Sequence, residues 1–425
     1  MEQTPKSNRV HIGFFGRCNA GKSTLINMLT DQPVSLVSEV AGTTTDPVSK
    51  SMEILPLGPV VITDTAGIDD ISELGALRIE KSEEIIKKIN LAVYVLRNDE
   101  APTADDMMWL NKLKQNNVPI ALFINEINAF DSESTHDNDS NGNDTNLNYV
   151  DAYPDLSAIA TVVGSTDFTS NRDRLTLLDL LGGLTPLDVE GEQSLLQGLV
   201  DPGDTIILVC PIDSAAPKGR LILPQVQTIR EILDHKGLAL VCQTEELPTM
   251  LSKLSQKPKL VITDSQAFEA VNALTPADIP LTSFSILMAR FKGKLQDLVM
   301  GVKALDNLKP GAHVLISEGC THRRQCDDIG TVKIPMWLKK KGHTDLQLEF
   351  TSGGAFPKDV SSYDLIIHCG ACMLTRREVL RRIDCAVVQG TPIVNYGVLI
   401  ASLHGILERA ISPFMDELDR KGFEC

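Results

Sequence analysis

The sequence predicts an α/β protein: a doubly wound, mostly parallel sheet followed by two smaller α/β domains. Three observations carry this expectation. Strand-length apolar runs alternate with helix-length segments over residues 10–184, the pattern of a parallel sheet covered by helices on both faces. A glycine-rich loop, "GRCNAGKS", separates the first such strand from the first helix. Beyond a linker-like stretch the same alternation resumes twice, and 425 residues exceed what a single hydrophobic core sustains.

In the first domain, residues 1–184, "VHIGFFG" reads as a buried strand and "KSTLINMLTD" as a helix. "VVITDTAG", "NLAVYVL" and "VPIALFIN" supply further strands. Residues 131–148 interrupt the pattern, and fourteen of the eighteen are Asp, Asn, Ser or Thr. Such a segment has too little apolar surface to offset its ordering entropy and is expected to be a disordered insertion. The linker "LGGLTPLDVEGEQS" leads into a middle domain, residues 185–273, built from "DTIILVC", "LPQVQTIREILDHKG", "LALVC" and "KLVITD". It holds no catalytic constellation, which points to assembly, and Cys210 and Cys242 read as buried, inert thiols in apolar strands. In the last domain, residues 274–425, "SFSILMARFKGKLQDLVMGVKALDNL" predicts one long helix. The strands "AHVLISEG", "LQLEF" and "YDLIIH", the helix "TRREVLRRIDCAVVQG", the strand "PIVNYG" and a closing helix follow.

A net charge of −16 argues against binding that depends on neutralising phosphates, so a nucleic-acid partner is not expected. No apolar run reaches the roughly 20 residues that cross a bilayer, and the start lacks a signal-peptide core. The expectation is a cytoplasmic protein, or in a eukaryotic host one of an organelle, without a membrane partner. Nine cysteines in a chain of this size read as packing residues, metal ligands or redox groups rather than a disulfide framework.

In "GRCNAGKS" the glycines Gly16 and Gly21 let the backbone fold around phosphates, with its N–H groups and the helix N-terminus facing the negative charge. Ala20 and Thr24 belong to the same cradle, Lys22 would reach the β/γ-phosphates, and Ser23 would hold Mg²⁺. "AGTTTD" offers a switch threonine, Thr44, that would sense the γ-phosphate through Mg²⁺. "DTAG" offers Asp64 as an outer-sphere Mg²⁺ ligand and Gly67 as an N–H donor to the γ-phosphate. These residues resemble the translation-factor-like branch of small GTPases related to the tRNA-modification GTPase MnmE and to Era. That resemblance implies hydrolysis of GTP, slow and regulatory. Ile68 stands where Ras-like proteins carry a catalytic glutamine, and Asn19 matches the asparagine that coordinates K⁺ in potassium-activated members. One motif departs from the pattern. Where the family reads guanine with Asn-Lys-x-Asp, this chain has Asn125, Glu126, Ile127 and Asn128. An amide at Asn128 places a donor where guanine needs a second acceptor, at a cost of about 1–3 kcal/mol, so weakened guanine preference is expected.

The second constellation is "HCGACM". Cys369 and Cys372 form a C-x-x-C whose small spacers allow a tight turn with N–H groups aimed at sulfur, and His368 precedes them. Upstream, "SEGCTH" supplies Cys320 and His322, also just after a predicted strand. Both clusters therefore fall at carboxyl ends of strands, where open sheets bind ligands. A redox C-x-x-C leaves the third cysteine unexplained, whereas a Cys₃His zinc site and a three-thiolate iron–sulfur cube fit the spacing equally well. A GTPase domain, a middle α/β unit and a C-x-H…H-C-x-x-C domain together resemble the family of [FeFe]-hydrogenase maturation GTPases. The resemblance extends to "DIG", "KIP" and "PIVNYG" and covers the chain apart from the insertion. It implies a [4Fe–4S] cluster on Cys320, Cys369 and Cys372, with His368 or His322 as an exchangeable fourth ligand. It further implies a homodimeric scaffold that receives a transient diiron subcluster made with radical-SAM maturases and delivers it to apo-hydrogenase. The competing expectation is an RNA- or ribosome-associated GTPase with a zinc-stabilised C-terminal domain.

Overall fold

The computed structural model describes residues 9–30, 48–54, 57–65, 82–125, 149, 152–160, 162–166, 171–184, 194–211, 221–319, 328–353 and 355–419. Two compact units divide the chain, residues 1–191 and 192–425.

The first unit is a six-stranded sheet of order β2-β3-β1-β4-β5-β6. Its strands are β1 (Val10–Phe15), β2 (Val48–Ile54), β3 (Gly58–Asp64), β4 (Leu91–Arg97), β5 (Ile120–Asn125) and β6 (Val162–Thr166). All pairings are parallel except β2 with β3. β4 and β5 are apolar and buried on both faces almost throughout, as strands covered by helices must be. Helices α1 (Lys22–Thr30), α2 (Ala104–Gln115) and α3 (Asn171–Leu184) supply that cover. Leu25, Ile26 and Leu29 pack with Leu177, Leu178 and Leu181 on one face, while Trp109, Leu110 and Leu113 pack on the other. The antiparallel edge strand β2, "VSKSMEI", was not among the expected elements. Its polar residues give no apolar run to find, and they blunt an otherwise open edge. The chain runs outward from β1 to β3 on one side and to β4 on the other, so the carboxyl end of β1 is the point where an α/β sheet opens a crevice.

The second unit contains two four-stranded, all-parallel sheets around one continuous core. One has the order β10-β9-β7-β8, from β7 (Thr205–Val209), β8 (Leu238–Cys242), β9 (Leu260–Thr263) and β10 (Leu281–Ser283). The other has the order β12-β11-β13-β14, from β11 (His313–Glu318), β12 (Gln347–Ser352), β13 (Leu365–His368) and β14 (Ile393–Asn395). α4 (Leu223–Asp234) packs on β8.

The single long helix expected over residues 283–308 is corrected. Leu281–Ser283 forms β10, then α5 (Phe284–Lys292) ends at Gly293, and α6 (Leu295–Gly301) begins afresh. Gly293 lies in an extended conformation, and a Cβ there would come 2.8 Å from the Ala289 carbonyl oxygen and 3.0 Å from Ile383. The expected closing helix is likewise split, into α8 (Tyr396–Leu403) and a short helix at Leu407–Ile411, with α7 (Arg376–Val388) preceding both.

Candidate functional site

The phosphate loop follows β1. Gly16 has φ +136°, and a Cβ there would lie 2.4 Å from the Val95 carbonyl oxygen, so the loop crosses β4 as closely as only glycine permits. Asn19 (φ +60°) and Gly21 (φ +101°) turn the backbone back toward α1. Lys22 is buried, its ammonium donating to the carbonyls of Gly16 (2.9 Å) and Arg17 (2.7 Å). Asn19, Ser23 and Thr24 are exposed at the mouth, and Ala20 is buried beneath them. Asn125, at the end of β5, donates from Nδ2 to the Ala20 carbonyl at 3.0 Å and so ties the expected base-reading strand to the phosphate loop.

Asp64 closes β3. Its Oδ1 is buried without a hydrogen-bond partner, and burial pushes its carboxyl up while the charge of Lys22 pulls it down. A carboxylate oxygen left in that condition is a good acceptor for a hydrated cation, which is how the residues present fit Mg²⁺. A residue that sequence reasoning missed steadies the loop from outside. Arg17 reaches Glu100 at 2.6 Å and buried Asp106 at 3.3 Å. Asp106 also accepts from Tyr94 at 2.9 Å and from the Thr103 N–H at 2.8 Å, completing the capping box of α2. The readable signal was the capping-box spacing Thr103-x-x-Asp106. Thr44, Gly67, Ile68 and Asn128 lie outside the described residues, as does the insertion at 131–148.

The sulfur loop follows β13. Ser317 on β11 pairs with His368 on β13, so the carboxyl ends of two adjacent parallel strands meet here. Cys369 donates its N–H to the Ser317 carbonyl at 3.0 Å, and its Sγ accepts from the N–H groups of Gly319 (3.0 Å) and Ala371 (3.3 Å). Ala371 adopts φ +55°, a left-handed conformation unusual for a residue with a side chain, and this turns its N–H toward the sulfur. Burial pushes the Cys369 thiol up to about 11, with the two N–H bonds opposing and the neighbouring Cys372 adding to the rise. The Cys372 thiol is also raised by burial, with the charge of Lys292 opposing. Two cysteines of one turn, one with its sulfur already met by two N–H donors and the other with its carbonyl bound by a buried ammonium, form a donor set suited to thiolate ligation. The cavity beneath the loop measures about 10 Å³, room for a single water, so a larger guest has to approach from the outer side.

His368 is 3 % exposed and both ring nitrogens are engaged. Its Nε2 lies 3.2 Å from Arg382 Nη1, and its Nδ1 lies 2.9 Å from the Cys369 carbonyl oxygen. A guanidinium can only donate, so Nε2 accepts and Nδ1 carries the proton. Burial and then the Arg382 charge push the imidazole down to about 4, leaving it neutral. Cys320 and His322 lie outside the described residues, and among the described residues no group of three His, Cys, Asp or Glu side chains is placed to hold a metal.

Several buried polar groups around this loop escaped sequence reasoning: Lys292, Glu318, Tyr396, Glu378 and Arg382. The last two had a signal. Glu378 and Arg382 fall on the same helical stripe as Val379, Ile383 and Ala386, and charges on an apolar stripe announce a buried ion pair.

Comparison with known proteins locates three family models along the chain. One described as the hydrogen maturase F tetramerization domain matches residues 296–413, and one described as the hydrogen maturase F dimerization domain matches residues 195–293. One described as a 50S ribosome-binding GTPase matches residues 11–126. The tRNA modification GTPase MnmE of Endomicrobium trichonymphae is 31 % identical over 121 residues, covering 28 % of this chain and 26 % of that protein. GTPase Der of Wolinella succinogenes is 37 % identical over 99 residues, covering 23 % and 20 %. The chain thus spans about a quarter of the length of the curated relatives it matches. Aquifex aeolicus Era bound to GDP.AlF4- aligns with 54 % of this chain and 91 % of that one, at 18 % identity and a TM-score of 0.35.

Proposed function

Because this chain belongs to the hydrogen maturase F family, we propose that it is a GTP-hydrolysing scaffold of [FeFe]-hydrogenase maturation that holds a [4Fe–4S] cluster and passes a diiron precursor to apo-hydrogenase. The observation that carries the cluster assignment is the Gly319 N–H on Cys369 Sγ. Gly319 is the residue before Cys320, and successive Cα atoms are about 3.8 Å apart, which supports one ligand set of Cys320, Cys369 and Cys372. When bound, the cluster supplies one-electron chemistry and an iron corner without a fixed thiolate. The protein's part is to hold the three sulfurs, aim N–H groups at them and keep water below the loop to a minimum. His368 has its acceptor nitrogen committed to Arg382, which favours His322 as the exchangeable fourth ligand.

In the nucleotide unit, Lys22, Ser23 and the backbone of residues 16–24 would hold the phosphates of GTP. Asp64 and Thr44 would address Mg²⁺, and Gly67 would donate to the γ-phosphate. K⁺ beside Asn19 would supply the positive charge that other GTPases take from an arginine finger. Exchange of GTP for GDP would then reposition the loops bearing Thr44 and Gly67 and alter contacts with the radical-SAM maturases and the hydrogenase. Self-association belongs to the matched dimerization and tetramerization domains.

Anaerobic iron–sulfur reconstitution followed by electron paramagnetic resonance tests the reading. Wild type is expected to turn brown with about four irons per chain, and Cys320→Ala, Cys369→Ala and Cys372→Ala each to lose the signal. A colourless protein that retains one zinc and binds RNA would replace this reading with that of a ribosome-associated GTPase.

A further inference from the structure

Resting on the cluster reading above, we propose that Lys292 is a positioning residue that clamps the C-x-x-C loop in ligating shape and makes the bound cluster easier to reduce.

Lys292 is the last residue of α5 and is 2 % exposed, although lysine is among the residues least often buried. Its ammonium points into the sulfur loop. Nζ lies 2.8 Å from the Leu374 carbonyl oxygen, 3.0 Å from that of Cys372 and 3.5 Å from that of Ala371. A lysine has three N–H donors, and here three carbonyls of one short turn surround them. Burying an ammonium is costly unless its donors are met, so the arrangement holds the loop to the lysine as firmly as it holds the lysine to the loop.

Two features show what the clamp does. Ala371 is kept at φ +55°, the strained turn whose N–H reaches Cys369 Sγ. With its carbonyl facing Lys292, Ala371 is held on both of its flanking peptides. Gly293, just after the lysine, breaks the helix and lets α5 end beneath the loop instead of running past it. The electrostatic consequence follows from the charge alone. Three thiolates around an iron–sulfur core leave the site net negative, and reduction adds one more electron. A fixed cation at the carbonyl of a ligating cysteine therefore favours the reduced form, because charge and hydrogen bonds near the sulfurs set cluster potentials.

The test uses the full chain as wild type, Lys292→Met and Lys292→Gln, with two readouts. In the cluster-free proteins, hydrogen–deuterium exchange of residues 369–374 is expected to quicken at least about tenfold in Lys292→Met, with β11 and β13 unchanged. After reconstitution, a redox titration followed by electron paramagnetic resonance is expected to move both neutral variants to lower potential. At the wild-type midpoint the reduced fraction would then fall about tenfold relative to oxidised, which is about 59 mV for one electron. Lys292→Gln keeps a hydrogen-bond donor without the charge, so it carries the electrostatic arm if Lys292→Met does not fold. Neutral variants with wild-type iron content and an unmoved midpoint overturn the proposal. Failure of wild type to take up iron would instead overturn the cluster reading beneath it.

Discussion

Arg382 donates to His368 Nε2 at 3.2 Å and to Glu378 Oε1 at 2.8 Å, so one fully buried guanidinium joins the strand that ends in the sulfur loop to the helix that follows it. Two further donors reach the Gly353 carbonyl at 2.6 Å and Ser317 Oγ at 3.4 Å, and its face lies over the Phe356 ring at 5.1 Å. Burial raises the Glu378 carboxyl, but hydrogen bonds from Arg381 and Arg382 more than offset this and leave it below its ordinary range. Removing Arg382 leaves Glu378 with Arg381 alone and takes the donors from buried His368 Nε2 and from the Gly353 carbonyl. Arg382→Met is therefore expected to destabilise the second unit by about 1–3 kcal/mol in denaturant titration, the cost of a buried acceptor left unmet. Arg382→Gln, which keeps a donor for those acceptors, should recover part of that loss, and equal loss in both would argue against the unmet acceptors as the cause.

Asp64 provides a cleaner probe of the nucleotide unit, because its buried oxygen is unpartnered in the nucleotide-free chain. Asp64→Asn is expected to leave thermal stability unchanged or slightly raised, since a raised carboxyl is replaced by a neutral amide. The same substitution is expected to remove the Mg²⁺ dependence of GTP binding in calorimetry. Retained Mg²⁺ dependence would move the metal role to another residue.

Asn128 stands where guanine recognition calls for a carboxylate. Asn128→Asp is expected to tighten GTP about fivefold or more, the equivalent of at least about 1 kcal/mol, while leaving XTP weaker. Competition binding with GTP, XTP and ATP measures this. Exclusive high affinity of the wild-type chain for GTP would show that some other group completes the base site.

Cysteine reactivity separates packing thiols from accessible ones. Burial pushes Cys210 up to about 12 and Cys242 up to about 11, whereas Cys18 in the phosphate loop is exposed. At pH 8 iodoacetamide is expected to label Cys18 and spare Cys210, and bound GTP should protect Cys18. Above pH 9 the unfolded chain gives up the Cys210 proton before the folded chain does, so stability falls with rising pH, by up to about 1.4 kcal/mol per pH unit. Cys210→Val should flatten that alkaline slope in pH-resolved denaturation relative to wild type, and an unchanged slope would locate the effect elsewhere.

The edge strand β8 is expected to serve self-association. Leu238 and Leu233 are each 57 % exposed, and Val226 and Val241 are exposed beside them on α4 and β8. An open apolar edge of this kind invites pairing with another copy. Leu238→Lys combined with Val241→Lys should lower the oligomeric state in light scattering at micromolar concentration. An unaltered mass would exclude this edge from the interface.

The strands that carry both candidate sites were legible because they are apolar on both faces and end in residues of unmistakable chemistry, "GRCNAGKS" and "HCGACM". What stayed hidden was supplied by polar groups in apolar company. Lys292 reads on paper as the basic end of a helix, and only the fold brings its ammonium to the sulfur loop. The break at Gly293 was missed because the residues on either side keep helical composition, and tertiary packing against Ile383 decided it. β2 was missed for the opposite reason, since its strand character comes from pairing with β3 rather than from its own side chains.

The amide of Gly319 sits at the end of β11, while the sulfur it meets sits one residue past β13. A slip of one residue between these neighbours would turn the next side chain to the opposite face of the sheet and take the sulfur away from its donor. On the proposed cluster reading, correct registration of two strands would be a precondition for acquiring iron. A mispaired chain would fail to load at all, which makes colour after reconstitution an assay of folding fidelity as well as of ligand chemistry.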